Sequence, residues 1–85
     1  DPATPAAMPG MTTTADLARL ADADGVAAEK LFLELMIAHH NGGVEMAKAV
    51  LERTQRSEVR NLAQSMVNAQ SAEIQTMTQM LAARG

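Results

Sequence analysis

The chain has 85 residues, a net charge of −3, no cysteine and a single aromatic residue, Phe32. Those values exclude more than one domain, any disulfide, and the basic surface with interleaved aromatics that nucleic acid requires. The chain is 47% hydrophobic, but much of that is alanine, which buries little area. A core of Leu, Ile, Val and Met in so short a chain is marginal unless a partner subunit or a metal ion adds to it.

Residues 1–13 read as a flexible leader, because Pro2, Pro5, Pro9 and Gly10 punctuate alanine and threonine without apolar periodicity. Met8 and Met11 fall inside it as exposed methionines. The chain begins with Asp1 and not Met, which fits a processed or trimmed product. No apolar run is long enough to span a bilayer.

A short helix is expected from Thr14, with Thr13 or Thr14 as its N-cap, Asp16 in its first turn and Leu17, Leu20 and Ala21 at helical spacing. It should end at Asp22-Ala23-Asp24-Gly25, where Gly25 can take a left-handed turn and Asp24 can cap the next helix. Asp22 and Asp24 resemble the start of a calcium loop, but the remaining ligand positions do not follow.

A second helix is expected over about 26–53, with Phe32, Leu33, Met36, His40, Gly43, Ala47, Val50 and Leu51 as its apolar stripe. Asn41-Gly42-Gly43 is a turn signal, and two glycines cost a helix about 2 kcal/mol relative to alanine. The stripe nevertheless keeps its phase across them, so one continuous helix is expected. Gly43 on that stripe would let a neighbouring helix or a metal come close.

Thr54-Gln55-Arg56 is a short polar connection with Ser57 as the expected cap. A third helix should then run over about 58–83, with a stripe of Val59, Leu62, Met66, Ala69, Gln70, Glu73, Met77, Met80 and Leu81. So short a connection makes the two long helices antiparallel neighbours. The fold class is therefore all-α: a short N-terminal helix followed by a long helical hairpin of the bundle type.

Both histidines lie in Met36-Ile37-Ala38-His39-His40. Met36 and His40 are one helical turn apart, and His39 and Met46 two turns apart on an adjoining line. Imidazole and thioether together suit a soft or borderline ion, copper above all. On the third helix Gln70 and Glu73 interrupt an apolar stripe, and a carboxylate there is expensive to bury unpaired. Equal rise along two antiparallel helices sets positions whose numbers add to about 111 level with each other. His39 and His40 then face the Gln70 to Glu73 level, Met36 faces Met77, and Met46 faces Met66.

One reading of this convergence is structural: Glu73 pairs with one histidine, Gln70 bonds the other, and the methionines fill the core. The other is a ligand site. Catalysis has no clear candidate, because no serine is visibly paired with His and an acid, and no Glu-x-x-His motif of a di-iron bundle occurs.

The pattern Phe32-x3-Met36-Ile37-x-His39-His40-x-Gly42-x2-Glu45-Met46-Ala47, followed by Leu62-Ala63 and Ala69-Gln70-x2-Glu73-Ile74-x2-Met77, resembles the bacterial domain-of-unknown-function family three hundred and five. The resemblance covers about residues 14–83. It implies a ferritin-like helical bundle, export to the periplasm or attachment outside the cell as a lipoprotein, and, for some members, copper binding through Met and His. Carried onto this chain, the matching positions are Met36, His39, His40, Met46, Glu73 and Met77, with Gln70 at a recurrent position. The family usually has alanine where this chain has Gly43. The chain also lacks a long methionine-rich tail, which argues against high-capacity storage; Met8 and Met11 would be its remnant.

The expectation is an extracytoplasmic protein that binds Cu(I), with Ag(I) as a mimic. Met36, Met46 and Met77 with His39 or His40 would be the ligands, Glu73 and Gln70 the supporting polar groups, and Met8, Met11, Met66 and Met80 weaker candidates. The alternative is a metal-free oligomerisation module whose hairpins pair into a four-helix bundle as a homodimer or higher oligomer. A carboxylate-bridged iron site ranks third.

Overall fold

The computed structural model describes residues 12–85, so the expected leader, with Met8 and Met11, lies outside the described residues apart from Thr12 and Thr13. Three helices follow: α1, Thr14–Asp22; α2, Gly25–Leu51; and α3, Ser57–Ala83. The described residues are otherwise turns and connections.

The start of α1 follows from two side chains. Thr13 Oγ1 accepts a hydrogen bond from the Asp16 backbone N–H at 3.0 Å, and the Thr13 N–H donates back to Asp16 Oδ2 at 3.3 Å. This reciprocal capping satisfies two donors that the first helical turn leaves without a backbone partner. Gly25 has φ of +58°, a conformation glycine adopts without strain, and this redirects the chain from α1 into α2. Asp24 occupies the N-cap position of α2, but its side chain makes no capping bond.

Asn41, Gly42 and Gly43 are helical, so α2 runs unbroken for 27 residues. The connection to α3 is held by Arg60, whose Nη1 donates to the carbonyls of Leu51 and Thr54. These are carbonyls beyond the reach of the helical ladder, and a cation there also meets the negative end of the α2 dipole. Ser57 is not the cap expected of it. It is the first helical residue, and Arg56 stands at the N-cap without a side-chain bond.

α2 and α3 are antiparallel and make nearly all of the interhelical packing, while α1 packs on α2 alone. Their register can be read in three places: Glu29 with Arg84, His40 with Glu73, and Gly43 with Gln70. In each pair the numbers add to 113, two residues from the sequence-derived value. The far end is tied by Arg84 Nε to Glu29 Oε1 at 2.9 Å and by Lys30 Nζ to the Gly85 carbonyl at 2.9 Å.

The buried line of α3 differs from the expected stripe. Val59, Ala63, Val67, Gln70, Ile74, Met77 and Leu81 turn toward α2, whereas Leu62, Met66, Ala69, Glu73 and Met80 are exposed. On α2, Leu33, Val44 and Ala47 are buried and Phe32 is 49% exposed. Helix α3 carries two adjoining apolar lines about 100° apart, and the line of smaller and β-branched residues takes the interhelical seam. The fully buried hydrophobic core is correspondingly slight: Leu33, Val44, Ala47 and Ala63.

The seam closes most tightly at Gly43. A Cβ built there would run into Gln70 Oε1 and touch Cδ and Nε2 of the same side chain at 3.3 and 3.4 Å. The glycine is thus the hollow that receives the Gln70 carboxamide. Gln70 Oε1 is nevertheless buried without a hydrogen-bond partner among the described residues.

Two outcomes follow from these local contacts. In Gly43→Ala, helix propensity gains up to about 1 kcal/mol, while the carboxamide that must move gives up no hydrogen bond at its oxygen. The thermal midpoint should rise by a few degrees, and pairing the change with Gln70→Ala should not lower it. A fall in the Gly43→Ala midpoint would show that Gln70 cannot move. Separately, the Thr13 backbone N–H, then the Thr13 hydroxyl and Arg19, hold the Asp16 carboxyl below its ordinary value of 3.8. The capping stabilisation is therefore present above that value and is lost as pH falls through the lowered one. Amide protection factors in α1, corrected for the intrinsic pH dependence of exchange, should fall selectively in acid, and Asp16→Asn should abolish the acid-dependent step.

Candidate functional site

The two histidines, adjacent in sequence, point in different directions because successive helical residues are rotated by about 100°. His40 turns into the seam, where its side chain is 12% exposed. His39 is exposed on the outside of α2, and the two rings meet only edge to face, with centroids 6.2 Å apart.

His40 is held at both nitrogens. Nδ1 lies 2.9 Å from the Met36 carbonyl, one turn back on the same helix. Nε2 lies 2.9 Å from Glu73 Oε1 on α3. A carbonyl can only accept, so Nδ1 carries a proton and donates to it. A neutral ring would then turn the bare lone pair of Nε2 toward the carboxylate oxygen. A proton between Nε2 and Oε1 completes the contact. Glu73 is 62% exposed, so its carboxylate remains in water while it reaches back to the seam.

The structure thus confirms the pairing of a histidine with Glu73 and identifies that histidine as His40. It corrects the expectation for Gln70, which bonds neither histidine among the described residues and packs on Gly43 instead. It also divides the expected ligands between two surfaces. Met36 and Met77, level in the observed register, are half-buried beside the seam with His40. His39 and Met46 lie on the outer face, where Met46 is 57% exposed. Met46 and Met66 line one apolar groove of about 290 Å³ together with Gly43, Ala47, Leu62 and Ala63. Met66 and Met80 are 38% and 42% exposed, so neither is a core residue.

Among the described residues, no three His, Asp or Glu side chains gather into a group able to hold a metal ion. A carboxylate-rich site of the iron or calcium type therefore has no frame in this part of the chain. What the seam offers instead is one imidazole nitrogen, Nε2 of His40, on a helix whose neighbouring soft donors are thioethers. That donor chemistry fits a monovalent soft cation, provided the cation displaces the proton between His40 and Glu73. The sequence set His40, and not His39, on the apolar stripe of α2, and the burial of Leu33 and Ala47 on that stripe agrees with this phase.

No helix among the described residues is long and apolar enough to cross a membrane. No curated protein matches the chain. A solved structure described as "putative secreted protein DUF305 from Streptomyces coelicolor" is similar to it: 46% identical, with a TM-score of 0.87 over 92% of this chain and 48% of that one. The chain therefore spans about half the length of that relative. The family described as Domain of unknown function (DUF305) matches residues 1–81. With that match across nearly its whole length, the chain belongs to the DUF305 family.

Proposed function

We propose that this chain is an extracytoplasmic protein that binds Cu(I) as cargo, in copper handling or tolerance, and that it does so without catalysis. The observation that carries the reading is the position of His40. Its Nε2 is the one nitrogen of the half-buried ring that faces an exchangeable partner, and it stands near the level of Met36 and Met77. Thioethers are neutral and soft, and one imidazole adds a borderline donor; this combination favours Cu(I), and Ag(I) after it, over Zn(II) or Cu(II). Location outside the cytoplasm is supported by the description of the solved relative as secreted.

The chain's own residues supply three things in this scheme. The Met36 carbonyl fixes the His40 tautomer by accepting from Nδ1, which leaves Nε2 as the only nitrogen that can ligate. Glu73, on the water side of the seam, is the partner that an ion at Nε2 would replace, and its exposed side chain can swing aside. Leu33, Val44 and Ala47 pack the interior of α2 beside these groups. His39 and Met46 are not part of this set, because they lie on the adjoining, exposed line of α2.

Anaerobic competition against a chromophoric Cu(I) chelator tests the assignment. Met36→Leu, His40→Leu and Met77→Leu combined should weaken binding at least about a hundredfold, and His39→Leu with Met46→Leu should change it by less than about threefold. The reverse ranking would move the site to the outer face, and equal affinities in all variants would remove copper binding by these residues. The same titration repeated at falling pH should show progressive weakening, with about one proton released per ion, because Nε2 must lose its proton to ligate. Affinity independent of pH would mean that thioethers bind without His40.

A further inference from the structure

The pair Asn41-Gly42 sits in the middle of α2, between the histidine that faces Glu73 and the glycine that receives Gln70. Asparagine is a thermally labile residue, and its lability is greatest when glycine follows it. The backbone nitrogen of Gly42 can attack the side-chain carbonyl carbon of Asn41, and glycine puts no side chain in the way of the closing ring. The chain has three asparagines, and only Asn41 precedes glycine; Asn61 precedes Leu62 and Asn68 precedes Ala69. All three are helical and exposed, so exposure does not set Asn41 apart, but its neighbour does.

Helical structure holds this chemistry back. Within unbroken α2 the Gly42 N–H is committed to the carbonyl four residues back, that of Ala38, and the Asn41 ψ is helical. Neither Gly42 nor Gly43 has a positive φ. Ring closure needs that hydrogen bond open and that ψ turned out of its helical well. Two observations make this stretch the easiest part of α2 to open. Gly42 and Gly43 are the only glycines of α2 beyond its first residue, and adjacent glycines weaken a helix locally. The contact that α3 makes here, Gln70 on Gly43, leaves the carboxamide oxygen without a hydrogen bond among the described residues. Such a segment opens at a lower free energy than the whole fold.

We infer that Asn41-Gly42 is a site of spontaneous covalent modification, gated by local opening of α2, at which Asn41 is converted to aspartyl and isoaspartyl forms. In the first step the Gly42 nitrogen bonds to Asn41 Cγ. The Cγ–Nδ2 bond breaks, and ammonia leaves with the proton that Gly42 nitrogen gives up. Water then opens the resulting succinimide. Attack at Cγ gives an aspartyl residue, and attack at the main-chain carbonyl carbon gives an isoaspartyl residue, whose chain continues through the former side chain. Overall one water enters and one ammonia leaves, with no change of oxidation state. Both products place a carboxylate one turn before Glu45, a like-charge pair. Only the isoaspartyl form adds a methylene to the main chain. That insertion falls between His40, fixed on Glu73, and Gly43, fixed on Gln70, so α2 can no longer keep both contacts in one register. The modification thus uncouples the two halves of the seam irreversibly.

Incubation of the 85-residue chain at neutral pH, native and in guanidinium, with peptide mapping of the products, tests this. Enzymatic methylation by a carboxyl methyltransferase that uses S-adenosylmethionine marks the isoaspartyl form. In guanidinium, Asn41 should convert at least about tenfold faster than Asn61 or Asn68. In the native chain its conversion should be slower by about tenfold or more, yet still ahead of the other two asparagines. The isolated isoaspartyl chain should show lower helicity and a lower thermal midpoint than Asn41→Asp, which carries the same charge on an ordinary backbone. A native chain in which Asn41 reacts no faster than Asn61 and Asn68 overturns the site. Equal rates in the native and denatured chains overturn the gating by α2. An isoaspartyl chain as helical and as heat-stable as Asn41→Asp overturns the loss of register.

Discussion

The approach of α2 to α3 at Gly43 is the constraint on which the remaining structure depends. Long antiparallel helices settle at a separation set by the side chains between them, and here those are small: Gly43, Ala47 and Ala63, with Gln70 laid against the glycine. A narrow seam has room for one line of side chains from each helix. Larger residues on the adjoining lines, such as Phe32, Leu62 and Met66, are held outside it. The same closeness sets the register, and the register brings Glu73 within 2.9 Å of His40. The glycine that weakens α2 as a helix is thus the hollow in which the Gln70 carboxamide lies.

Much of this was legible in the sequence. The capping threonine, Asp16 and the apolar periodicities located all three helices to within two residues, and the persistence of the α2 stripe across Asn41-Gly42-Gly43 correctly outweighed a turn signal. The level pairing of the histidines with Gln70 and Glu73 followed from helical rise alone, because two polar interruptions on separate helices coincided in height. The phase of α3 was not legible from hydrophobicity. Leu62, Met66 and Met80 are as apolar as Val59, Val67 and Ile74, so hydrophobicity alone would let either line face α2. Size was the discriminating signal: a line that faces a glycine and an alanine across a seam has to be the line with Ala63 in it.

The mistaken placement of Gln70 has a related cause. A buried amide is expected to find a partner, since an orphaned acceptor costs about 1–3 kcal/mol. Bonding it to a histidine therefore looked economical on paper. His40, however, already uses both ring nitrogens, and His39 is turned away by the 100° step between neighbours. The carboxamide is left with a steric role, filling the hollow above Gly43.

Glu73 stands at the junction of two surfaces. Through Oε1 it reaches His40 in the seam, and its exposed remainder is level with His39 on the outer face. The soft donors divide in the same way, with Met36 and Met77 inside and Met46, Met66 and Met80 outside. In a chain with so small a core, this one contact across the seam ties the exposed polar surface of α3 to the packing of α2 against it.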